Sequence, residues 1–328
     1  MVFYFILFVL SGLLLFWSAN LLVRGITELA RYLQWREFVI AFFVMAVASS
    51  FPNLFVGILS VAHGIPELSL GDIMGNSLVD LTLVVALAVF FGKNLITEGK
   101  LIQISSVFTL GVAILPLLLI LDGQLNRGDG LVLLVIFLLY SRWLFSKRKE
   151  HPEIFNHAQR AFAQTPLKGF LVFLRSLLGI LTGIVILLFA AEGVVQSAFF
   201  FARTFHFPLP IIGLLIVGLG SALPEIYLTI ISARKNKDRV ILGELMGAVI
   251  VMTTLILGIV ALLHPIEIEN FSPFALARAF LVISALVFFL AVKTDHKISK
   301  GEAFFLLLLY ITFVGAELLL RSPEDMIP

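Results

Sequence analysis

Ten long apolar segments restrict this chain to one kind of fold. A helix needs roughly 20 apolar residues to cross the hydrocarbon core of a bilayer, and the sequence contains ten runs of about that length. They are residues 3–23, 38–62, 69–91, 101–121, 129–146, 171–200, 209–233, 240–262, 273–292 and 301–320. The runs are apolar on every face instead of alternating, which favours helices over the strands of a membrane barrel. The sequence therefore predicts an all-α membrane protein with ten transmembrane helices.

The composition excludes a soluble fold. Hydrophobic residues make up 60% of the chain and charged residues 13%, whereas soluble domains carry roughly 25% charged residues. A soluble protein of this length could not bury so much apolar surface, but lipid can cover it. The first run has no basic region before it and nine more runs follow, so it is predicted to be a span and not a cleaved signal. Because there is no cysteine, disulfides and thiolate metal sites are excluded.

Lysine and arginine are distributed unequally between alternate loops. If the N-terminus lies outside, the inner loops carry 18 of the 23 basic residues and the outer side carries three. Basic loops stay on the cytoplasmic side of a membrane, so both termini are predicted to lie outside. The longest loop, 147–170, is then a cytoplasmic linker. The size of the chain and the lack of a targeting segment favour a prokaryotic plasma (inner) membrane.

The two halves of the sequence align without a gap at one constant offset. The pairs matched at this offset include Ser49 with Ser221, Pro52 with Pro224, Gly71 with Gly243, Met74 with Met246, Gly75 with Gly247 and Thr82 with Thr254. Apolar composition alone aligns Leu and Val by chance, but it does not align Pro, Gly and Ser at one offset. Because each half has an odd number of spans, the second enters the membrane with opposite polarity. We expect a first membrane repeat at 1–146, the linker at 147–170 and a second, inverted repeat at 171–328.

The second span of each repeat contains a proline followed by a polar side chain. Pro52 precedes Asn53, and Pro224 precedes Glu225. A proline inside a helix donates no backbone N–H and displaces the carbonyl four residues earlier, which frees a backbone acceptor at mid-membrane depth. Such a group is tolerated where it lines a cavity or finds a partner. A simple kink satisfied by neighbouring serines is the alternative, but two symmetric prolines favour a cation site, since hard cations prefer oxygen ligands.

The third span of the first repeat carries a polar stripe. Asp72, Asn76 and Asp80 are spaced four residues apart and share one helix face. Asp80 lies about eleven residues into the span, where a carboxylate is costly to bury and marks a functional site by default. Asp72 and its counterpart Glu244 have two explanations that the sequence leaves open. Each is either an acid in the first turn of a helix, where the dipole favours it, or an entrance residue of the site.

Three more polar residues lie in or near the spans. Glu192 in the sixth span is the counterpart of Asn20 in the first, and an interhelical hydrogen bond explains it as well as a transport role does. Glu317 is close to an outer end and His63 lies at a loop edge, so neither is assigned to the site.

These segments resemble the calcium/cation antiporter superfamily, which includes sodium/calcium exchangers. Each repeat of that family carries a Gly-Thr-Ser-Leu-Pro-Glu-like segment and then a Gly-Asn-x-x-Gly-Ser-Asn-like segment leading to Asn or Asp. Residues 220–225, Gly-Ser-Ala-Leu-Pro-Glu, match best; residues 48–53, 71–80 and 243–252 match more loosely. The resemblance covers nearly the whole chain in the number of spans, in the inversion of the second repeat and in the orientation in the membrane.

The resemblance implies a set of cation ligands. They are Asp80, Glu225, Asn53, Ser49, Ser50, Asn76, Ser77 and Ser221, with the backbone carbonyls of Ala46 and Gly218 facing Na⁺. The chain departs from the family where an acid becomes Asn53 and where the partner of Asp80 becomes Met252, a poor calcium ligand. Ala222 and Ala248 replace two hydroxyl positions. Two carboxylates still suffice for one divalent ion, but fewer ligands remain for several Na⁺.

The function expected from this resemblance is antiport of Ca²⁺ or a related cation for Na⁺ or H⁺ by alternating access. No cofactor and no nucleic-acid partner is implied; the partners are inorganic cations and the lipid bilayer. A buried carboxylate that carries protons would make H⁺ the counter-ion. The main alternative is a diverged relative that does not transport calcium and acts on another solute or as a membrane partner. An unrelated ten-span permease and a membrane enzyme are less favoured, since no metal-protease or phosphate-loop motif is present.

Overall fold

A computed structural model describes residues 1–32, 45–146, 166–205, 208–268 and 272–319. The fold is built almost wholly of helices, as the uniformly apolar runs predict. The helices are α1 Val2–Tyr32, α2 Met45–Ser49, α3 Phe51–Ala62, α4 Pro66–Val79, α5 Val85–Phe91, α6 Lys100–Leu119, α7 Arg127–Ser146, α8 Pro166–Phe205, α9 Leu209–Ile211, α10 Gly218–Ser221, α11 Leu223–Arg234, α12 Asp238–Ile250, α13 Leu257–Leu263, α14 Ser272–Lys293 and α15 Lys300–Leu319. A 3₁₀ turn, Ile120–Asp122, ends α6.

Nine helical stretches within the described residues are long and apolar enough to span a membrane. They correspond to nine of the ten expected spans. The other expected span, 38–62, begins in residues 38–44, which lie outside the described residues, and its described part consists of α2 and α3. Most of the expected linker, 147–165, also lies outside them. The rest of that linker, from 166 onward, already belongs to α8.

Each proline lies just after a one-residue interruption of its helical span. Ser50 separates α2 from α3, and Ala222 separates α10 from α11. Each half of the chain is therefore interrupted just before its proline-containing helix. Pro52 and Pro224 occupy the second position of the new helix, where a missing N–H costs nothing because the first four N–H groups have no intrahelical partner. The break at Ser50 and at Ala222 is therefore one residue long, and the backbone bonds Ser50 N–H to Ala46 O and Ala222 N–H to Gly218 O connect it to the preceding helix.

Within the described residues, three π-helical turns interrupt the spans. They are Asp80–Val84 between α4 and α5, Ile212–Val217 between α9 and α10, and Val251–Ile256 between α12 and α13. Such turns are rare and frequently lie at functional sites, because the extra residue changes the direction of neighbouring side chains. Asp80 is the first residue of one of them.

Two short antiparallel ribbons join loops from opposite halves of the chain. Strand β1 (Leu95–Ile96) pairs with β4 (Lys297–Ile298), and β2 (Gln124–Leu125) pairs with β3 (Ile266–Glu267). The distribution of basic residues assigns the loops of the first ribbon to the inner side and those of the second to the outer side. Each ribbon thus joins two loops that were independently expected on the same side of the membrane.

The secondary structure itself recurs at the offset that places Ser49 on Ser221. At this offset α3 and α5 coincide with α11 and α13 at both ends, and the break at Ser50 coincides with the break at Ala222. The strands of the two ribbons also exchange places to within a residue or two, so a strand of each half pairs with the other half reciprocally. The two halves thus carry these helices and strands at equivalent positions.

Glycines allow α4 to cross the α9–α10 segment with its backbone in contact. A Cβ atom at Gly75 would lie 2.0 Å from the carbonyl oxygen of Leu214, and one at Gly71 would lie 2.2 Å from that of Pro210. From the other side, a Cβ at Gly218 would lie 2.8 Å from the backbone nitrogen of Asn76. This crossing brings the polar stripe of α4 against the break between α10 and α11.

Candidate cation site

A hydrogen-bonded cluster forms where α3, α4 and α10 meet. The amide nitrogen Nδ2 of Asn53 donates to Asp72 Oδ2 (3.1 Å) and to Ser221 Oγ (3.0 Å). Asn76 Nδ2 donates to the same Ser221 Oγ (3.2 Å), and Ser221 Oγ donates to Asp72 Oδ1 (2.7 Å). All four side chains are at most 1% exposed. The cluster connects the two halves of the chain, because Ser221 belongs to the second half and the other three to the first.

The cluster fixes the direction of two amide oxygens. Both hydrogens of the Asn53 amide are used, so its Oδ1 remains an acceptor, and it is buried without a donor within the described part of the chain. Oδ1 of Asn76 is likewise buried without a donor among the described residues, and Asn76 Nδ2 makes its one hydrogen bond to Ser221. Ser221, in contrast, accepts two hydrogen bonds and donates its one hydrogen, so its bonding capacity is full in this conformation. Two of the three predicted ligands in the cluster are therefore available to a cation, and Ser221 holds them in position.

Asp80 and Glu225 are the two deep acids that the sequence singles out. Both are 0% exposed, and none of their four carboxylate oxygens has a hydrogen-bond donor among the residues described. The two carboxylates interact electrostatically with each other. A buried polar group without a partner is costly, and a buried unpaired charge more so. These two side chains therefore require either a bound cation or a proton.

Asp72 and Glu244 are not helix caps. Helix α4 begins at Pro66 and α12 at Asp238, so each acid is the seventh residue of its helix and well beyond the first turn. Pro66 is suited to a helix start, which moves the boundary toward the N-terminus from the expected residue 69. Both acids are 0% exposed. The first-turn interpretation is wrong for both, and burial among the polar residues of the spans replaces it.

The remaining predicted ligands lie nearby in sequence but outside the cluster. Ser49 Oγ and Ser50 Oγ both donate to the carbonyl oxygen of Ala46, at 3.2 and 2.8 Å. Each hydroxyl oxygen keeps its lone pairs for a further partner. Ser77 is 0% exposed, and its Oγ has no hydrogen bond within the described ranges. The structure thus joins Asn53, Asn76 and Ser221 directly, and it leaves the other three serines bonded within their own turn or unbonded.

The two backbone carbonyls suggested for Na⁺ already accept hydrogen bonds. Ala46 O accepts from Ser49, Ser50 and the backbone N–H of Ser50. Gly218 O accepts from the backbone N–H of Ala222 and lies 3.2 Å from Ser221 Oγ, whose hydrogen is directed to the nearer Asp72. Met252, at the position equivalent to Asp80, is 0% exposed and carries a thioether in place of a carboxylate. The two halves therefore contribute unequally to the site.

Glu192 makes the interhelical hydrogen bond that its position suggested. Its carboxylate lies 2.9 and 3.0 Å from His63 Nε2 at the end of α3, and it accepts from Gln196 Nε2 (2.6 Å) on its own helix. Asn20, its counterpart in the first half, donates to the carbonyl of Phe16. His63 is thus the partner that the sequence left unassigned, and this pair lies at a partly exposed position, 43% for His63 and 32% for Glu192.

The chemistry available is oxygen coordination in a sealed space. No group of three His, Cys, Asp or Glu side chains in the described residues forms a ready metal cage. A cation here would be held by carboxylates together with amide, hydroxyl and carbonyl oxygens, the ligands of hard ions. Since these groups are wholly buried, an ion can enter or leave only if the helices move. Apolar spans around buried carboxylates that no described residue pairs are typical of an integral membrane transporter for cations.

Comparison with known proteins identifies the family. The family model for sodium/calcium exchanger proteins matches residues 3–146 and 175–319. The inner membrane protein YrbG of Escherichia coli (strain K12) is 26% identical over 279 residues, 84% of each chain. The sodium/calcium exchanger MaX1 of Methanosarcina acetivorans is 30% identical over 124 residues, 38% of this chain and 35% of that protein. A solved structure of the sodium-calcium exchanger NCX_Mj aligns with a TM-score of 0.66 and 26% identity, covering 98% of this chain and 100% of that one.

The chain belongs to the sodium/calcium exchanger protein family of the calcium/cation antiporter superfamily. The resemblance stated from the motifs is confirmed, as is the assignment to membrane antiport. The family consists of transporters and not enzymes, and its members handle inorganic cations within a membrane. The alternative of a diverged relative that acts on another solute or as a non-transporting membrane partner is not favoured by these matches.

Proposed function

We propose that the chain exchanges Ca²⁺, or a closely related divalent cation, for Na⁺ or H⁺ across a prokaryotic plasma membrane. The observation that carries the proposal is the pair Asp80 and Glu225. Both are buried completely, both lack a hydrogen-bond donor in the part of the chain described, and each lies within the electrostatic field of the other. Two such carboxylates neutralise one divalent cation.

Exchange follows from the same charges. Two ionised carboxylates without a counter-ion repel each other in a medium of low dielectric and are poorly solvated there. When the divalent cation leaves, the empty site is stable only after Na⁺ or H⁺ has taken its place. Each outward step of one ion therefore requires an inward step of another, which is the physical basis of obligatory antiport.

The neutral ligands complete the coordination. The oxygens Oδ1 of Asn53 and Asn76 are buried and free to accept, and Ser49, Ser50 and Ser77 add hydroxyl oxygens. Calcium takes six to eight oxygen ligands, so carboxylates and neutral oxygens together fit its needs. Ser221 supports the set by holding both amides. The names of MaX1 and NCX_Mj, both sodium/calcium exchangers, support Na⁺ as the first counter-ion to test.

Alternating access fits a chain of two inverted repeats. The recurrence of helices at a constant offset and the reciprocal strand pairing support repeats at 1–146 and 171–328, joined by the linker at 147–170. With ten spans and both termini outside, the ribbon β1–β4 lies on the inner side and β2–β3 on the outer side. The inner membrane relative YrbG supports the plasma membrane as the location. The site would then lie near the midplane between the repeats.

The test is transport by the purified protein in proteoliposomes. We expect uptake of ⁴⁵Ca²⁺ when an outward Na⁺ or H⁺ gradient is imposed, and the gradient that drives it names the counter-ion. The variants Glu225→Gln and Asp80→Asn should abolish uptake. Glu98→Gln removes a carboxylate from an exposed loop and should leave uptake unchanged.

Two results would count against calcium antiport. Folded wild-type protein without ⁴⁵Ca²⁺ uptake under either gradient would exclude calcium as the substrate. Uptake that survives in both site variants would exclude Asp80 and Glu225 as the residues that carry the cation.

A further inference from the structure

The two halves of the chain treat one pair of side chains differently. In the first half Asp72 on α4 accepts a hydrogen bond from Asn53 on α3. The equivalent positions in the second half are Glu244 on α12, for Asp72, and Glu225 on α11, for Asn53. The acid–amide pair of the first half thus becomes an acid–acid pair in the second. Because an ionised carboxylate has no hydrogen to donate, the second pair cannot make the bond that the first one makes.

The remaining members of the cluster around Asp72 have no equivalent hydrogen bonds in the second half. Asp72 accepts from Ser221, but the equivalent serine, Ser49, donates to the carbonyl of Ala46 instead of to Glu244. The second amide of the first cluster, Asn76, corresponds to Ala248, which has only a methyl group. Every donor that stabilises Asp72 is therefore missing or turned away around Glu244.

Glu244 is left buried and without a donor. Its side chain is 0% exposed, and neither of its carboxylate oxygens has a hydrogen bond within the residues that the structure covers. Its charge acts on both Asp80 and Glu225, so it lies within electrostatic range of the two acids of the proposed site. Glutamate is one methylene longer than the aspartate at the equivalent position, and Ala248 on the same helix face is smaller than its counterpart Asn76.

From these observations we infer that Glu244 binds the transported cation together with Glu225. The cation takes the place that a hydrogen bond occupies between Asp72 and Asn53 in the first half. Glu244 thereby supplies a carboxylate that compensates for the acids absent at Asn53 and Met252. Asp72 has the opposite role, since its two oxygens are engaged by Asn53 and Ser221, and it positions these ligands. This inference rests on the proposed cation transport and assigns that site a further residue.

The experiment measures cation binding separately from transport. Purified protein in detergent is titrated with ⁴⁵Ca²⁺ at equilibrium and with Na⁺ as competitor, for the wild type, Glu244→Gln, Glu225→Gln and the exposed-loop control Glu98→Gln. We expect Glu244→Gln to weaken Ca²⁺ binding at least about tenfold, since ligand charge sets the affinity of calcium sites, and Glu225→Gln to weaken it similarly. Glu244→Asp keeps the charge and should retain part of the affinity.

Thermal unfolding gives a readout that a structural role would not produce. In cation-free buffer alkaline enough to ionise the buried acids, the wild type holds uncompensated charge, so Glu244→Gln should unfold at a higher temperature than the wild type there. Added Ca²⁺ should raise the unfolding temperature of the wild type more than that of the variant, because a ligand stabilises the state that binds it. A residue that only packs would instead lower stability under both conditions when replaced.

The outcomes separate this inference from the proposed function. If the wild type binds and transports Ca²⁺, Glu225→Gln loses both, and Glu244→Gln retains wild-type affinity, the role of Glu244 is wrong and the proposed function stands. If the wild type binds neither Ca²⁺ nor Na⁺, the proposed function itself is wrong. If Glu244→Gln and Glu225→Gln fail together while Glu98→Gln does not, the inference is supported.

Discussion

Replacing Ser221 with alanine tests whether one hydroxyl organises the site. Ser221 makes three hydrogen bonds between different helices, to Asp72 and from Asn53 and Asn76. Its counterpart Ser49 makes one, to the carbonyl of Ala46 within the same helix. The two serines are equally buried, so Ser49→Ala is a matched control for the loss of a hydroxyl.

The expected magnitudes follow from these bonds. Hydrogen bonds between membrane helices contribute about 0.6 kcal/mol on average and up to about 1.7 kcal/mol. Three of them predict that Ser221→Ala lowers the free energy of unfolding by about 2–5 kcal/mol. Ser49→Ala should lower it by about 0.5–1 kcal/mol, because the carbonyl of Ala46 keeps its two bonds from Ser50.

The assay is unfolding by increasing mole fraction of SDS in mixed micelles, followed by far-ultraviolet circular dichroism. The double variant with Asn53→Ala adds a second check. Since the two residues bond directly, their effects should be less than additive. Equal losses for Ser221→Ala and Ser49→Ala, or additive effects in the double variant, would refute the role of Ser221 as the centre of the cluster.

Two further predictions concern the scaffold. Gly75→Ala should lower the free energy of unfolding by about 3 kcal/mol, the upper end for overpacking, because its Cβ would meet the carbonyl of Leu214 at 2.0 Å. Gly111→Ala, where nothing lies within 4 Å of the added Cβ, should be neutral or stabilising in the same SDS titration. Equal losses for the two variants would contradict the close crossing. The chain has no native cysteine, so single cysteines can report orientation. In intact cells a membrane-impermeant maleimide should label Gln124→Cys but not Glu98→Cys, and labelling of both or the reverse pattern would contradict the proposed topology.

Much of the scaffold was predictable because membrane insertion leaves a strong pattern in sequence. Continuous apolar runs indicated nine of the spans, since lipid must cover every outer face. The alternation of basic loops anticipated which loops meet, because the ribbons β1–β4 and β2–β3 each join loops assigned to one side. The offset between Ser49 and Ser221 anticipated that the two helix breaks are equivalent.

The site was harder to predict because its geometry depends on where helices begin. The start of α4 at Pro66 instead of residue 69 moves Asp72 from a first turn into the buried interior, and the start of α12 does the same for Glu244. A proline at 66 and the common stripe of Asp72, Asn76 and Asp80 were the available signals. The full use of the hydrogen-bonding capacity of Ser221 could not be foreseen, since it depends on three partners that only the folded chain brings together.

The partner of Glu192 illustrates the same limit. An interhelical bond was one of two explanations for a carboxylate in the sixth span, but His63 lies far away in sequence, next to a turn. Periodicity relates residues within one helix and the offset relates the two halves. Neither relation links the end of α3 to the middle of α8, so this contact required the three-dimensional packing.

Exchange of ⁴⁵Ca²⁺ for unlabelled Ca²⁺ across proteoliposomes without any gradient tests the central claim most directly. This reaction needs the cation site and alternating access, but it does not depend on which counter-ion is used. We predict that the wild type and Glu98→Gln exchange Ca²⁺, whereas Asp80→Asn and Glu225→Gln, each folded by circular dichroism, exchange none. Wild-type rates in both site variants, or no exchange in the wild type, would contradict the account of two buried carboxylates as the carriers of the cation.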